Sequence, residues 1–394
     1  MKKTILFTTL FTSLLFAEVP PLKPISQRTF AQSQYIPDIS LITDFSYLYQ
    51  NKSLDDNQEH QEHSHAASNA NEGFNFNYAE LVLSSSVDPY LNLDAVFHFT
   101  QEGVEAEEVY FTTTALEYGF EAKGGQFLSD FGRLNAQHHH TWNFSDNALV
   151  NNYFLGGEGL SDLGVQLQWL APLDNYLMFG VEALEGGNET KFSNQEVSDV
   201  NVSKATSPSL AIAYVKSSFD IDDTTLMMGL SYIYGAYNNE ETHGLDKHAF
   251  IGNKSIYGAD VTLKHYFDSY SFLSLQSEYL YQDILGDSYD IEPTLTTKTD
   301  INANLSGYYT QLVYAYNQNY RVGIRNERLL LDEKLEIETN EITAKNSIMI
   351  EYHPSEFSRF RVQYNNAKTF NKTDIHSVII SANIAIGAHS AHAF

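Results

Sequence analysis

The chain of 394 residues carries 23 lysines and arginines against 50 aspartates and glutamates, a formal net charge of −27, and it has no cysteine. A nucleic-acid partner is not expected, since no basic stripe is available to neutralise phosphates, and disulfides are excluded although export would bring the chain to an oxidising compartment. Charged residues make up only 19% of the chain while tyrosine and phenylalanine number 26 and 25, a mixture that suits a barrel with one face in lipid and one in water.

The N-terminus has the pattern of a cleaved signal peptide over residues 1–17. Lys2 and Lys3 precede an apolar stretch, and Ala17 is a suitable cleavage residue. The apolar stretch is too short to cross a bilayer as a helix, and no later segment offers about twenty apolar residues in succession. Residues 18–38, which contain four prolines, are interpreted as an extended periplasmic leader. The sequence therefore predicts export without a helical anchor.

From residue 39 onward, apolar and polar residues alternate within successive segments. Leu93 and Phe99, for example, fall on one face of such a segment. Asp94 and His98 fall on the other. Because successive side chains of a strand point to opposite faces, the first face suits lipid and the second suits water. The predicted fold is all-β, a transmembrane antiparallel β-barrel of about sixteen strands over 39–394. The predicted strands are 39–50, 73–86, 90–101, 104–115, 119–127, 162–171, 176–186, 207–218, 223–237, 255–267, 270–286, 305–317, 319–331, 342–353, 356–369 and 374–388.

The predicted connections alternate between short turns and long polar loops. Tight, turn-forming connections include 87–89 and 353–355. Short periplasmic turns at one end and long extracellular loops at the other are the arrangement of outer-membrane barrels. A soluble β-sandwich or β-propeller is the alternative, but neither would sort its loops by length in this way. The long loops are predicted at 51–72, 128–161, 187–206, 238–254, 287–304 and 332–341.

The third loop, 128–161, is too long to be a bare connection. We expect it to fold inward and narrow the pore, with an ordered surface lid as the alternative. Its glycines permit the sharp bends that an inward path requires. The candidate constriction residues of this loop are Asp130, Arg133, His138, His139, His140 and Asp146.

Strand parity also predicts charged side chains on the inward faces of the barrel. Arg321 and Arg325 share the water face of one late strand and join the candidate constriction. Arg359 and Arg361 share that face two strands along, and they join it too. A basic set that faces an acidic loop across the lumen would create a transverse field that filters ions. Alternatively, these arginines pair locally with carboxylates such as Glu327 and brace the wall. The early strands offer Glu80, Asp94 and Glu108 on the same inward face.

Two histidine-rich segments are candidate metal sites, because imidazole and carboxylate groups at high density bind divalent transition metals. Adjacent histidines cannot all point one way, but an irregular loop can converge two of them. The alternatives are hydrogen bonding to the barrel wall for the third loop and a merely solvated segment for the first. The sequence requires no cofactor, and Zn²⁺ binding is expected to be transient. The candidate metal ligands are His60, His63, His65, His138 and His140.

Catalytic motifs are absent from the sequence. It contains no GxSxG, no HExxH and no phosphate-binding glycine loop. His376 and Ser377 are sequence neighbours in a predicted strand and therefore lie on opposite faces, which argues against a lipase pair. We do not expect an enzyme.

Several runs of sequence carry a resemblance to a known family. The runs are AELVLSSSVDPYLNLDAVFHF (79–99), VEAEEVYF (104–111), GGQFLSDFGRLNAQHHHTW (124–142), LGGEGLSDLGVQLQWLAP (155–172) and the terminal GAHSAHAF (387–394). In these runs the chain resembles a family of Gram-negative outer-membrane proteins, some of them described as zinc-regulated outer-membrane receptors, with the architecture of phosphate-selective porins. The resemblance implies an outer-membrane barrel, a histidine-rich first loop and a link to zinc. Phe394 matches the terminal aromatic residue that the barrel-assembly machinery reads.

The expected function is that of an outer-membrane porin that lets small hydrophilic solutes or ions diffuse passively, prefers cations and is linked to zinc or other divalent metals. A non-conducting surface receptor that binds metal or another ligand is the alternative. The expected partners are outer-membrane lipids and lipopolysaccharide, the barrel-assembly machinery through Phe394, and small solutes or cations. A homotrimer is expected by analogy with sixteen-stranded porins.

Overall fold

The computed structural model of the chain describes residues 37–52, 71–187, 191–200, 202–243, 246–292, 295–332 and 341–387. Within these residues, no helix is long and apolar enough to cross a membrane. The predicted signal peptide 1–17, nearly all of the predicted leader 18–38, the first-loop histidines and Phe394 lie outside the described residues.

Antiparallel strands form one closed barrel. In the described part of the chain, sixteen of them follow one another in chain order, and the last pairs with the first, with Tyr47 opposite Ile380. This closure confirms the predicted sixteen-stranded barrel and pairs both edges of the sheet. A further two-residue strand pairs in parallel with Tyr237 and Asn238. The strands are β1 (Asp38–Gln50), β2 (Gly73–Ser86), β3 (Leu91–Phe99), β4 (Val104–Thr113), β5 (Phe120–Leu128), β6 (Ser161–Leu170), β7 (Tyr176–Leu184), the short β8 (Ser193–Asn194), β9 (Leu210–Ile221), β10 (Thr224–His243), β11 (Asp246–Tyr266), β12 (Phe272–Glu292), β13 (Leu295–Ala315), β14 (Tyr320–Leu330), β15 (Ile342–Ser355), β16 (Ser358–Thr369) and β17 (Asp374–Gly387).

The outer surface of the barrel is apolar and its inner surface is polar, the reverse of a soluble protein. On β3, Leu93 and Phe99 are exposed while His98 is buried. On β17, Ile380 is exposed and Ser381 is buried. Apolar side chains exposed in this alternating order all around a closed sheet require a lipid surround. The predicted alternation is therefore confirmed, and a soluble β-sandwich or β-propeller is excluded.

Exposed tyrosines mark the barrel end that carries the tight turns. Tyr90, Tyr118, Tyr270 and Tyr316 lie in the turns after β2, β4, β11 and β13 and are among the more exposed aromatic side chains. Aromatic residues are enriched at this level because their rings suit the boundary between lipid and water. The tight-turn end thus lies at one membrane surface.

Two predicted long loops are not loops. The segments 238–254 and 287–304 belong to strands that continue past the membrane level as paired hairpins, β10 with β11 and β12 with β13. Their polarity caused the wrong prediction. A polar segment is one that lies outside the lipid, but its strands can still be paired there. Aromatic pairs such as Tyr237 and Phe250, with ring centroids 5.2 Å apart, still stabilise these extensions.

The third loop runs from 129 to 160, one residue shorter at each end than predicted. It contains a 3-10 turn at His139–Thr141 and a short helix, α1 (Leu149–Leu155), which ends at Gly156 with φ of 103°. Apolar side chains of this loop, including Phe131 and Phe154, join one buried cluster with wall residues of β10 to β14. The hydrophobic core of the protein therefore lies inside the barrel, which confirms the inward fold of this loop and excludes a surface lid.

Candidate functional site

The loop 129–160 is attached to the barrel wall through its own backbone. The Asp130 N–H donates to Glu182 Oε1 at 3.0 Å, and the Leu149 N–H donates to Glu327 Oε1 at 2.9 Å. Both glutamates are buried on inward faces, of β7 and β14 respectively. Hydrogen bonds from amides to buried carboxylates are stronger than neutral ones. Wall carboxylates therefore fix the path of the loop inside the lumen.

Glu278 on β12 binds the backbone of the loop just after Gly132. The backbone N–H groups of Arg133 and Leu134 donate to its two carboxylate oxygens at 3.0 and 2.8 Å. The Tyr309 hydroxyl donates to the same carboxylate at 2.6 Å. Gly132 precedes these amides with φ of 64°, and a Cβ at this position would collide with the Glu278 carboxylate. Only glycine allows the backbone to approach Glu278 this closely.

A second attachment is an ionic group that we call the basic cluster. Arg325 and Lys345 contact Glu327 on the wall, with atoms 3.2 Å apart in each pair. They also bind Asp146 of the loop, Lys345 at 2.9 Å. Five basic side chains thus share three carboxylates at this part of the wall. The members of the basic cluster are Arg321, Arg325, Lys345, Arg359 and Arg361 with Asp146, Glu327 and Glu351.

Asp146 is the loop's contribution to the basic cluster, and its environment fixes its charge. Burial on its own would raise the pKa of Asp146, but the neighbouring Lys345 and Arg325 together with hydrogen bonds from Lys345 and Gln363 hold it well below its usual value. Next to it, the Trp142 carbonyl accepts a hydrogen bond from Arg361 at 2.8 Å. Arg325, Arg359 and Arg361 therefore touch the loop directly, and Arg325 also makes the local pair with Glu327 that the sequence offered as an alternative.

A third attachment, the histidine–glutamate cluster, joins the 3-10 turn of the loop to strands β2, β3 and β4. His98 Nε2 lies 3.3 Å from Glu80 Oε2 and 3.0 Å from Glu107 Oε2. His138 lies against β4, with Nδ1 3.1 Å from Glu107. The remaining nitrogen of His138, Nε2, lies 3.0 Å from Glu108 Oε2. The cluster comprises Glu80, His98, Glu107, Glu108, His138, His139, His140 and Glu158.

A β-bulge explains how two consecutive glutamates of β4 both reach the lumen. The register between β3 and β4 shifts so that Val96 pairs with Glu108 and Phe97 pairs with Ala106. Glu107 is the extra residue of the bulge. Its side chain is only 7% exposed, as is that of Glu108. In a regular strand one of the two would point into lipid.

The three consecutive histidines of the loop point to different partners. Burial disfavours the charged form of His138, but the Glu107 carboxylate and the hydrogen bonds that the His138 ring donates to Glu107 and Glu108 raise its pKa well above the ordinary value. Burial lowers the pKa of His139, whose ring packs 4.3 Å from that of Trp142. His140 Nδ1 lies 3.2 Å from Glu80 Oε1. The turn therefore places imidazoles of opposite pKa shift, raised for His138 and lowered for His139, at one patch of wall.

The candidate constriction residues do not form one group. Asp130 accepts hydrogen bonds from Gln166 and Gln168 at 2.9 and 2.8 Å, on the side of the barrel built by β6 to β9. Arg133 binds Glu278 of β12 through its backbone. The histidines lie at β2 to β4 and Asp146 at β14 to β16. The residues of the predicted constriction are all on the loop or the lumen wall, but they occupy separate sectors of the lumen.

Sequence reasoning missed several residues that hold the loop. Glu182, Glu278 and Glu351 are inward-facing and buried, and their parity within an alternating strand was a usable signal. Glu107 gave no such signal, because the bulge breaks parity. The candidate ligands His60, His63 and His65 lie outside the described residues.

Comparison with known proteins identifies one curated relative in sequence and many relatives in fold. No family model matches the chain. An uncharacterized protein of Aquifex aeolicus (strain VF5) is 39% identical over 391 residues, which cover 93% of this chain and 81% of that protein. Among solved structures, the outer membrane channel DcaP of Acinetobacter baumannii superimposes with a TM-score of 0.55 at 12% identity, over 89% of this chain and 96% of that one.

Two further solved structures have the same fold. The anion-selective porin of Comamonas acidovorans gives a TM-score of 0.54 at 9% identity, over 88% of this chain and 98% of that one. OmpF of Salmonella typhi gives 0.52 at 10% identity, over 89% and 97%. At such identities the likeness shows the fold alone. A closed sixteen-stranded barrel with an apolar exterior is a fold of the Gram-negative outer membrane, so the predicted location is confirmed.

Proposed function

Because this chain belongs to the same family as the uncharacterized Aquifex aeolicus protein and folds as a sixteen-stranded barrel, we propose that it is an outer-membrane channel for the passive diffusion of small hydrophilic solutes. The loop 129–160 is its constriction. The channel prefers cations, and the link to zinc implied by the family resemblance belongs to the same proposal.

The observation that carries this proposal is the loop's position inside the barrel. It is bonded to the wall in several sectors, at Glu182, at Glu278 and at Glu327. It also meets β17, where the hydroxyls of Ser145 and Ser381 lie 3.0 Å apart. A solute that crosses the barrel has to pass between this loop and the polar wall. A constriction with fixed polar groups is the arrangement that selects solutes by size and charge.

Cation preference is supported by the charge of the barrel end opposite the tight turns. The extended hairpin of β12 and β13 carries Asp287, Asp290 and Asp300, and the Asp300 side chain is 91% exposed. The chain as a whole has more than twice as many acidic as basic residues. Negative charge at a channel mouth raises the local concentration of cations. Arg325, Lys345 and Arg361 of the basic cluster are buried and share carboxylates, which reduces their repulsion of cations.

A non-conducting binding protein is a second candidate, favoured by one specific observation. Phe131, Phe154 and Leu155 of the loop are buried and pack in one cluster with Ile256 and Leu280 of the wall. An apolar core of this kind excludes water from the part of the lumen that it fills. If the remaining part is also closed to ions, the barrel serves as a scaffold for a binding site.

Recording from planar bilayers tests the first candidate against the second. Purified, folded protein is expected to give discrete single-channel steps. In a potassium chloride gradient, the reversal potential is expected to have the sign of a cation-preferring pore. A reversal potential of the opposite sign would remove the cation preference alone. Protein that inserts, remains folded and carries no current would leave the binding protein as the better candidate.

A further inference from the structure

We propose that the histidine–glutamate cluster is a binding site for one divalent transition-metal ion of the Zn²⁺ class, with Glu80, Glu107 and His138 as its ligands and with His98 beside them. The site goes beyond the proposed channel function, because binding can be present whether or not the barrel conducts. Two of the ligands, Glu107 and His138, belong to elements that approach each other only because the loop folds inward.

The donor atoms of Glu80, Glu107 and His138 lie close together, and three protein ligands with one open position suit a four-coordinate Zn²⁺ ion. With metal–ligand bonds of about 2.0–2.1 Å, the edges of a tetrahedral site measure roughly 3.3 Å. His98 Nε2 lies 3.3 Å from Glu80 Oε2 and 3.0 Å from Glu107 Oε2, and His138 Nδ1 lies 3.1 Å from Glu107 Oε2. One ligand atom from each of Glu80, Glu107 and His138 lies within 4.8 Å of the others.

His138 has the surroundings of a metal-bound histidine. Its Nδ1 points to Glu107, while its other nitrogen, Nε2, lies 3.0 Å from the Glu108 carboxylate. A histidine ligand usually donates its second ring N–H to a carboxylate, which fixes the tautomer and orients the ring. The bulge that turns both Glu107 and Glu108 inward thus supplies a ligand and its orienting partner from adjacent positions.

Buried polar atoms without hydrogen-bond partners in the protein give an independent indication of a ligand site. Within the described residues, Glu107 Oε1 and both ring nitrogens of His139 are buried and have no hydrogen-bond partner. The His139 side chain is only 5% exposed, and its Nε2 lies 3.7 Å from Glu158 Oε2. A second set of donors, from His98, Glu107 and Glu158, lies within 4.8 Å on this side. Buried polar groups are rarely left unpaired, so the site is built for something more than these side chains.

The donor types favour Zn²⁺, Ni²⁺ or Cu²⁺ over Ca²⁺ or Mg²⁺. The latter ions prefer oxygen ligands alone, whereas imidazole together with carboxylate suits divalent first-row metals. A doubly charged ion also offsets the repulsion among Glu80, Glu107 and Glu108, which are all buried within this one patch. The bound ion would tie the loop to β2, β3 and β4.

Zn²⁺ titration of the full mature protein in detergent tests the site. The first-loop and C-terminal histidines are removed as a background (H60A, H63A, H65A, H389A and H392A), because they could bind metal on their own. In this background we expect about one Zn²⁺ per chain by calorimetry. The isosteric variant E107Q and the loop variant H138Q should each weaken binding by at least about tenfold. The matched control is H376Q. His376 of β17 forms a hydrogen bond with Tyr364 of β16, on the side of β17 that faces away from β2, β3 and β4. The H376Q variant should bind Zn²⁺ as tightly as the background protein does.

A spectroscopic readout separates a built site from weak surface binding. Co²⁺ in place of Zn²⁺ should give the intense visible absorption of tetrahedral coordination, which E107Q should abolish and H376Q should keep. Binding no tighter than millimolar, or equal binding by E107Q, H138Q and H376Q, would overturn the proposal and leave the cluster as paired imidazoles and carboxylates. Folding of each variant is checked by heat-modifiable migration in gels. If E107Q does not fold, the loop variant H138Q provides the test of the site in its place. Failure of the channel proposal leaves these results unchanged, since no current is measured.

Discussion

Asp146 of the third loop and Lys345 of strand β15 form a buried ion pair, with Lys345 Nζ donating to Asp146 Oδ2 at 2.9 Å across 199 positions of sequence. Arg325 binds the other carboxylate oxygen of Asp146. Removal of one member of a buried ion pair leaves the remaining charges buried without compensation. The stability lost in this way is larger than the net stabilisation that the intact pair provides. The loop therefore depends on Asp146 for its position at this part of the wall.

The substitution D146N tests this dependence. Loss of the carboxylate charge leaves Arg325 and Lys345 with Glu327 alone, so we expect a loss of about 3 kcal/mol in the free energy of unfolding. Urea titration in detergent, followed by tryptophan fluorescence, measures the change. The control D174N alters an exposed aspartate in a tight turn and should leave the unfolding midpoint in place. Equal effects of the two substitutions would contradict the role of Asp146.

The same ion pair predicts a pH dependence. The pKa of Asp146 in the folded protein is below its ordinary value of 3.8, so its charged form contributes stability that is fully present above that value. This contribution is lost as the pH falls through the lower folded pKa. The difference in stability between the wild type and D146N should therefore stay constant from pH 8 to about pH 5 and shrink only below about pH 4. A difference that shrinks already between pH 7 and 5 would show that another group governs the pair.

Gly132 predicts a second way to loosen the loop. The substitution G132A forces a left-handed backbone on alanine and drives its Cβ into Glu278. We expect a cost of about 1–2 kcal/mol from the backbone conformation, with further loss from displaced hydrogen bonds. Limited proteolysis within 129–160 should become faster. The matched control is G103A, where a Cβ meets open space. If the protease cleaves G132A no faster than it cleaves G103A, the prediction is wrong.

The absence of native cysteine allows the loop position to be tested by cross-linking. Ser145 and Ser381 have hydroxyl oxygens 3.0 Å apart, so the pair S145C and S381C should form a disulfide on mild oxidation. The control pair S231C and S381C joins positions on β10 and β17, on different sides of the barrel, and should remain reduced. A faster-migrating oxidised form in gels identifies the cross-link. No cross-link in folded S145C/S381C would place Ser145 away from the wall.

The barrel could be predicted from the sequence because each strand obeys a two-residue period. Lipid imposes that period, since Leu93 and Phe99 must face outward while His98 points into the barrel. The long third loop was evident from its length, and the inward positions of Arg325 and Arg361 followed from parity. These features depend on local pattern alone.

The arrangement of the site could not be predicted in the same way, because it depends on contacts between distant segments. The Glu107 bulge adds a residue that no periodicity reveals. The separate attachments of Asp130, His138 and Asp146 follow from the path of the loop through the lumen, and that path is set by wall carboxylates such as Glu278. The polar hairpins of β10 to β13 were mistaken for loops, since polarity does not distinguish a solvated strand from a turn.

The most direct test of the constriction is the single-channel conductance of a variant that lacks residues 133–150. The matched control removes 289–298 from the hairpin tip, where Ser288 and Thr299 are opposite each other and can be joined by a new turn. We expect the loop deletion to raise the conductance several-fold and the hairpin deletion to leave it unchanged. A folded loop-deletion variant that conducts no better than the wild type would contradict the assignment of loop 129–160 as the element that limits passage through the barrel.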